Sequence, residues 1–140
     1  MGVQVEELAR FVASTRLQDI PAPVREHAKL VFLDTLGVIV AGAERPEVAA
    51  LRRRLCASSP HGGATVYARG WPKTDPRSAA LLNGIAGRAI ELCEGLRLVS
   101  GQAAMQVLPA VLSVAGQGQS TGDDILASLG KKTVDGGAGF

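Results

Sequence analysis

Two carboxylates and an amide fall on one side of a helix predicted over residues 76–95. With successive residues about 100° apart, Asn83, Gly87, Glu91 and Glu94 share a sector of roughly 80°. The adjoining sector is apolar and contains Leu82, Ala86, Ala89, Ile90 and Cys93. Carboxylates one helical turn apart, beside a glycine that leaves room for close approach, are typical of a site for a small polar molecule. The alternative interpretation is the solvated edge of an amphipathic helix.

The same segment carries a family resemblance. Residues 83–95 are Asn-Gly-Ile-Ala-Gly-Arg-Ala-Ile-Glu-Leu-Cys-Glu-Gly, within a similar stretch that extends over residues 78–115. Three further pieces occur in matching order: Glu-Leu-Ala-Arg-Phe-Val at 7–12, Leu-Asp-Thr-Leu-Gly-Val at 33–38 and Gly-Asp-Asp-Ile-Leu-Ala at 122–127. Over about residues 6–128 the chain therefore resembles the N-terminal part of the MmgE/PrpD family. That family includes 2-methylcitrate dehydratase, cis-aconitate decarboxylase and iminodisuccinate epimerase.

The resemblance implies a type of reaction. Members of the family are lyases or isomerases of small polycarboxylates, and they work with acid and base side chains and without a metal or a cofactor. Such chemistry requires a base within hydrogen-bond reach of the acidic carbon, and donors that stabilise the enediolate-like charge. The resemblance makes Glu91 and Glu94 the candidate catalytic residues, and Asn83 and Arg97 the candidate substrate-binding residues.

Three residues depart from the family pattern. The pattern has an aspartate where this chain has Cys93, and a His-Pro pair where it has Gln102 followed by alanine. Arg88 replaces a residue that is often histidine. Because glutamine cannot exchange a proton near neutral pH, we expect acid/base chemistry at this place to be impaired. The helical spacing directs Cys93 to the apolar side, which favours a core thiol over a reactive one.

Composition and local patterns argue against several other classes of protein. The formal charge of +2 is too small to imply a nucleic-acid partner. The two cysteines and the two histidines, His27 and His61, show no metal-ligand spacing, so neither a metal site nor a disulfide is indicated. We interpret both histidines as solvated. The N-terminus lacks an apolar signal core and the longest apolar run, residues 30–43, contains Asp34, which together predict a cytoplasmic protein with no membrane span.

The apolar residues recur at helical spacing, which predicts an all-α, bundle-like fold of about five or six helices. The predicted helices cover residues 6–15, 23–43, 46–57, 76–95, 107–117 and 121–130. Beyond Leu36 the second helix is apolar all round, which indicates central burial. Asp75 and Pro76 are expected to cap the fourth helix, and Gly95 to end it. Residues 65–68 could be extended but are too isolated to form a sheet.

Length sets the expected domain organisation. Family members are about three times longer than 140 residues, so the resemblance predicts a partial helical domain at 1–129. Residues 130–140 are rich in glycine and lack a helical period, which predicts a loose tail.

Two functional hypotheses remain. The chain is either part of a polycarboxylate lyase or isomerase, impaired in isolation, or a non-catalytic helical module that acts through dimerisation or interaction. Because a partial domain exposes apolar surface, we expect a homodimer or a higher homo-oligomer, with helix exchange as one route to it. The only ligand class that we expect is a small polycarboxylate, with no nucleic acid and no membrane as partners.

Overall fold

A computed structural model describes residues 2–59, 62–93, 95, 101–118 and 120–135. Six α-helices account for most of this part of the chain: α1 (Gly2–Ser14), α2 (Ala22–Gly42), α3 (Pro46–Ser58), α4 (Pro76–Arg88), α5 (Ala103–Ala115) and α6 (Gly122–Asp135). A short 3-10 turn at Leu17–Asp19 separates α1 from α2. The prediction of an all-α fold is confirmed.

Two short strands accompany the helices. Strand β1 (Ala64–Thr65) pairs antiparallel with β2 (Lys73–Thr74), and Ala64 lies opposite Thr74. The expectation that the extended piece was too isolated to form a sheet was wrong, because a turn at Gly70 and Trp71, both with positive φ, brings the second strand back.

Helix α2 packs against α4, α5 and α6, and α3 packs against α4. The larger buried cluster joins α2 to α4 and α5 through Ile39, Leu82 and Met105. A smaller cluster joins Ala28 of α2 to α5 and α6. Only one side of α2 is buried, however, and Gly37 and Val40 are exposed. The prediction of burial all round α2 beyond Leu36 was therefore wrong.

The ends of α4 differ in how well the sequence predicts them. Asp75 accepts a hydrogen bond from the Ser78 amide at 3.0 Å, and Pro76 occupies the first helical turn, as expected. The predicted end near Gly95 was wrong, because the helix ends at Arg88 and Glu91 adopts a left-handed φ of 54°. The described residues that were placed on the last two turns of that helix, 89–93 and 95, therefore lie between α4 and α5.

Helices α5 and α6 also differ from their predicted ranges. Helix α5 begins at Ala103, one turn before the predicted start, so that Pro109 lies inside it. Helix α6 continues through Gly130 to Asp135, which corrects its predicted end at Gly130. The remainder of the predicted loose tail, residues 136–140, lies outside the described residues. Among the helices that the structure describes, none is both long and apolar enough to cross a membrane.

Candidate functional site

Arg88, the last residue of α4, joins the three side chains around it. Its Nη2 donates to both carboxylate oxygens of Glu91, each at 3.0 Å. Its Nη1 donates to the Cys93 sulfur at 2.9 Å and to Oε1 of Gln102. Arg88, Cys93 and Gln102 are the three residues that depart from the family pattern, and the fold brings all of them into one cluster.

The local backbone explains this convergence. The Ala89 amide bonds the Ala86 carbonyl at 3.1 Å, which tightens the last turn of α4. Glu91 follows with its amide on the Arg88 carbonyl at 3.3 Å and its positive φ, so the chain reverses and the Glu91 carboxylate returns to Arg88. Gln102 approaches from the other side as the residue that precedes α5.

The electrostatics of the cluster favour a permanent cation. The hydrogen bond to the Cys93 sulfur is the largest cause that raises the pKa of the Arg88 guanidinium, and the Glu91 carboxylate also raises it. About 42% of the Arg88 side chain and 72% of the Glu91 side chain are exposed to solvent. The ion pair is therefore reachable from solution, and an exposed pair of this kind contributes little to stability.

A groove runs from the cluster between α3, α4 and α5, with a volume of about 830 Å³. Most of its lining is apolar and comes from one face of α4 and the facing side of α5: Leu81, Ile85, Ala89, Met105 and Pro109. The polar lining consists of Glu47, Arg88, Gln102 and Gln106. A mostly apolar groove with a few polar groups in its lining is typical of a site for a small organic molecule.

Asn83 lies in a different environment from the predicted one. Its side chain is fully buried, and its amide group bonds two backbone groups of the strand region. Oδ1 accepts from the Tyr67 amide at 2.9 Å, and Nδ2 donates to the Thr65 carbonyl at 3.0 Å. Asn83 therefore fixes β1 against α4, and its polar atoms do not face the groove.

The other predicted site residues lie at or beyond the end of α4. Glu91 lies at the cluster, while Glu94 and Arg97 lie outside the described residues. Cys93 is half-buried at the edge of the larger core cluster, on the apolar side as expected, although its sulfur also meets Arg88. His27 is exposed on α2, and His61 lies outside the described residues.

Sequence reasoning missed two groove residues. Gln106 lies in the first turn of α5, and Glu47 lies in the first turn of α3. Gln106 follows Gln102, the residue before α5, by four positions, and that spacing could have indicated that the two amides lie near each other. Nothing in the sequence near Glu47 indicates that α3 lies beside α4.

The cluster joins a guanidinium, a carboxylate, a thiol and an amide. A guanidinium can hold a carboxylate through hydrogen bonds to both of its oxygens, and here one nitrogen, Nη2, donates to both oxygens of Glu91. The amide of Gln102 can donate or accept hydrogen bonds but cannot transfer a proton. Within the described residues, no group of three histidine, cysteine, aspartate or glutamate side chains has the arrangement of a metal site. The chemistry that this geometry supports is recognition of a carboxylate.

Comparison with known protein families identifies the family to which this chain belongs. The family model of the MmgE/PrpD N-terminal domain matches residues 6–131. Searches of curated proteins and of solved structures gave no significant match. The matched range contains α2 to α5 in full and the whole Arg88 cluster. The chain therefore belongs to the MmgE/PrpD family, through its N-terminal domain.

Proposed function

We propose that this chain binds a small polycarboxylate at the Arg88 end of the groove, as part of a lyase or isomerase site of the MmgE/PrpD type. The observation that carries the proposal is that Arg88, which lines the groove, donates to both oxygens of the Glu91 carboxylate. That contact gives the geometry in which the same guanidinium would hold a carboxylate of a ligand.

The size of the groove supports this proposal. A volume of about 830 Å³ lies within the range of roughly 300–1,000 Å³ that is common for small-molecule sites. One carboxylate would replace Glu91 on Arg88, and the amides of Gln102 and Gln106 would donate to a second carboxylate or a hydroxyl group. The apolar walls would contact the carbon skeleton.

The charge of the site limits its affinity. Glu47 lines the groove and Glu91 occupies the guanidinium, so a polyanionic ligand meets two carboxylates and one cation. Like charges repel, and the ligand has to displace Glu91 before it binds. We therefore expect weak binding by this chain alone, with a dissociation constant in the range of about 1 mM or above.

The proton-transfer part of the reaction lacks its usual residue. Gln102 stands where the family pattern has histidine, and the loss of a positioned acid or base lowers a rate by about 10²- to 10⁴-fold. Arg88 is a poor substitute because its pKa is raised and it keeps its proton. We therefore propose that the chain recognises a polycarboxylate without turning it over efficiently.

Binding can be tested by following a titration with citrate through backbone amide NMR shifts. We expect shifts at the start of α5 and the end of α4 for the wild type, loss of saturable binding for Arg88→Gln, and wild-type behaviour for Arg77→Gln, an exposed arginine in the first turn of α4. Equal citrate binding by the wild type and Arg88→Gln would contradict the proposal. So would the absence of binding by Glu91→Gln, in which the competing charge is removed.

Turnover can be tested with 2-methylcitrate, cis-aconitate and iminodisuccinate, each followed by proton NMR of the product. We expect no saturable activity from this chain. Saturable activity that disappears in Glu91→Gln would instead show that Glu91 performs the proton transfer that we deny to Gln102.

A second candidate function is a helical module that associates without catalysis. Two observations favour it: the substitutions at Cys93 and Gln102, and large apolar side chains on the exposed face of α2. Light scattering tests this second function by measuring the mass of the protein in solution. If the chain acts by association, an oligomer should form without citrate, and Arg88→Gln should form it equally well.

A further inference from the structure

The groove beside Arg88 is bounded by one stripe of residues on each of two helices. On α4 the lining residues recur at positions 80, 81, 84, 85, 88 and 89, which is the spacing of one helix face. On α5 they recur at positions 105, 106, 109 and 110, after Gln102. Arg88 donates to Oε1 of Gln102, so the two stripes meet at these residues. The groove therefore extends along both helices from this contact.

The walls beyond the contact are mainly apolar. Helix α4 contributes Leu81 and Ile85, and helix α5 contributes Met105 and Pro109. Leu81 is 51% exposed although it belongs to the groove wall. Covering such surface with an alkyl group is favourable, whereas a carboxylate placed there would lose water without gaining a hydrogen bond. The walls therefore favour an alkyl chain over a second carboxylate.

The charges of the groove also favour a ligand with a single carboxylate. Arg88 is the only positively charged residue of the lining that the structure describes, and Glu47 is the negatively charged one. One guanidinium can hold one carboxylate, and Glu47 repels any further negative charge in the groove.

Gly84 leaves the middle of the α4 stripe open. A Cβ built at Gly84 would meet nothing within 4 Å, whereas a Cβ at Gly87 would overlap the Met105 side chain. Glycine weakens a helix relative to alanine, and no close packing offsets that cost at Gly84 in the described part of the chain. Gly84 provides space in the groove instead.

We propose that this groove binds a medium-chain monocarboxylate, with its carboxylate on Arg88 and its unbranched alkyl chain between α4 and α5. The inference rests on the proposed function in one respect, which is that Arg88 holds the carboxylate of a ligand. It goes beyond that function because it assigns the apolar walls to a chain that small polycarboxylates lack.

The length of the α4 stripe sets the length of the chain. Bonds of about 1.52 Å at an angle of about 111° extend an alkyl chain by roughly 1.25 Å per carbon. Ala80 lies about 12 Å before Arg88 along α4. A chain of about ten carbons therefore spans the stripe, and longer chains extend beyond it.

Affinity should follow this length. Full burial of a methylene group strengthens binding by about fourfold, and a groove that covers only one side of the chain should give about twofold. We therefore expect octanoate to bind about 16-fold more tightly than butanoate, and the gain to level off near decanoate. Titrations of the whole chain with carboxylates from butanoate to dodecanoate, followed by backbone amide NMR at fixed ionic strength, measure both features.

The position of the alkyl chain can be observed directly. Met105 lines the groove and is one of two methionines in the sequence, the other being Met1. With ¹³C-labelled methionine methyl groups, we expect a nuclear Overhauser effect between the Met105 methyl group and the alkyl protons of octanoate.

A filled groove should lose the dependence on chain length. Gly84→Leu places a side chain about 6 Å from Arg88 along α4, so the ratio of octanoate to butanoate affinity should fall from about 16 to about 1. Gly84→Ala, and Ala57→Leu at an exposed position of α3 outside the lining, should keep the ratio near 16. Leu81→Gln, an exposed change that leaves the helix packing intact, should lower the ratio by about threefold.

The carboxylate contact is tested with octanamide, the neutral counterpart of octanoate. The wild type should prefer octanoate by about tenfold, and Arg88→Gln should bind the two compounds equally. Circular dichroism of each variant checks that it is folded.

Citrate serves as the probe of the proposed function. Citrate binding without any gain from butanoate to octanoate would overturn the alkyl site and leave the polycarboxylate site standing. Octanoate binding without citrate binding would overturn the polycarboxylate site alone, and binding of neither would overturn both. A gain that survives Gly84→Leu, continues to dodecanoate or shows no contact with Met105 would place the chain outside the groove and overturn the inference.

Discussion

The guanidinium of Arg88 holds both oxygens of Glu91 at 3.0 Å, across a turn in which Glu91 has a φ of 54°. A non-glycine residue in this region is uncommon, and such strain is concentrated at functional sites. Here the unfavourable backbone conformation follows the end of α4 at Arg88, and the Glu91 carboxylate returns to the arginine. The strained residue and the proposed carboxylate-binding group are therefore parts of one local structure.

The left-handed backbone at Glu91 can be tested with a pair of substitutions. We expect Glu91→Val to be less stable than Glu91→Gly by about 1–2 kcal/mol, because a β-branched side chain is strained at positive φ. The same pair at Arg53, in the middle of α3, should give the opposite order, since glycine is the poorer helix former. Urea unfolding of the four variants measures both differences. Equal stability of the two Glu91 variants would contradict the left-handed backbone conformation at this position.

Removal of the buried amide at Asn83 should be costly. Asn83→Ala leaves the Tyr67 amide and the Thr65 carbonyl without the partner that they now have, so we expect a loss of about 2–4 kcal/mol in the free energy of unfolding. Arg77→Ala, at an exposed position of the same helix, should change it by less than about 0.5 kcal/mol. A loss below about 1 kcal/mol for Asn83→Ala would contradict the structural role of this residue.

The close approach of α2 to α4 depends on Gly42. We expect Gly42→Ala to destabilise the protein by about 3 kcal/mol, because a Cβ there would overlap the Ala86 carbonyl and the two helices would have to separate. Gly84→Ala is the matched change, since a Cβ at Gly84 meets nothing within 4 Å, and it should stabilise α4 by about 0.5–1 kcal/mol. Thermal unfolding measures whether each variant is less or more stable than the wild type. A Gly42→Ala variant as stable as the wild type would contradict the close packing of α2 on α4.

Thr35 is a buried residue whose hydroxyl has no hydrogen-bond partner within the described part of the chain. Thr35→Val replaces that hydroxyl with a methyl group of similar volume, and we expect a gain of about 1 kcal/mol in stability. Thr35→Ser, which keeps the hydroxyl and removes the methyl group, should instead be destabilising. If Thr35→Val were clearly destabilising, the hydroxyl would have to have a partner after all.

The cap of α4 should make stability depend on pH. Hydrogen bonds from the Ser78 side chain and backbone lower the pKa of Asp75 to about 2, so the folded state favours the charged carboxylate. The ionised Asp75 carboxylate makes its full contribution to the free energy of unfolding above the pKa of aspartate in the unfolded chain, about 4. That contribution is lost as the pH falls towards 2. Asp75→Asn should keep the cap but lose this part of the pH dependence, whereas Asp75→Ala should lower the melting temperature at neutral pH. Melting curves between pH 2 and pH 7 measure these differences; an identical acid profile for Asp75→Asn would contradict the cap.

Family membership and the helical class could be predicted from the sequence because both depend on local information. Helical spacing in each apolar segment determines the fold class, and the start of α4 follows from Asp75 and Pro76, which act on their nearest neighbours. The departures at Arg88, Cys93 and Gln102 are also visible in the sequence alone.

The composition of the site was decided by tertiary structure. The residues after Arg88 have sufficient helix propensity to continue α4. Tertiary context overrides local propensity, however, and the chain leaves the helix there to reach α5. Asn83 and Glu91 were expected on one polar face; the early end of α4 separates them, and packing of β1 buries the amide of Asn83. Contacts between Arg88 and Gln102, or between Glu47 and the groove, join residues distant in sequence. No local periodicity encodes such contacts, because they depend on how whole helices pack.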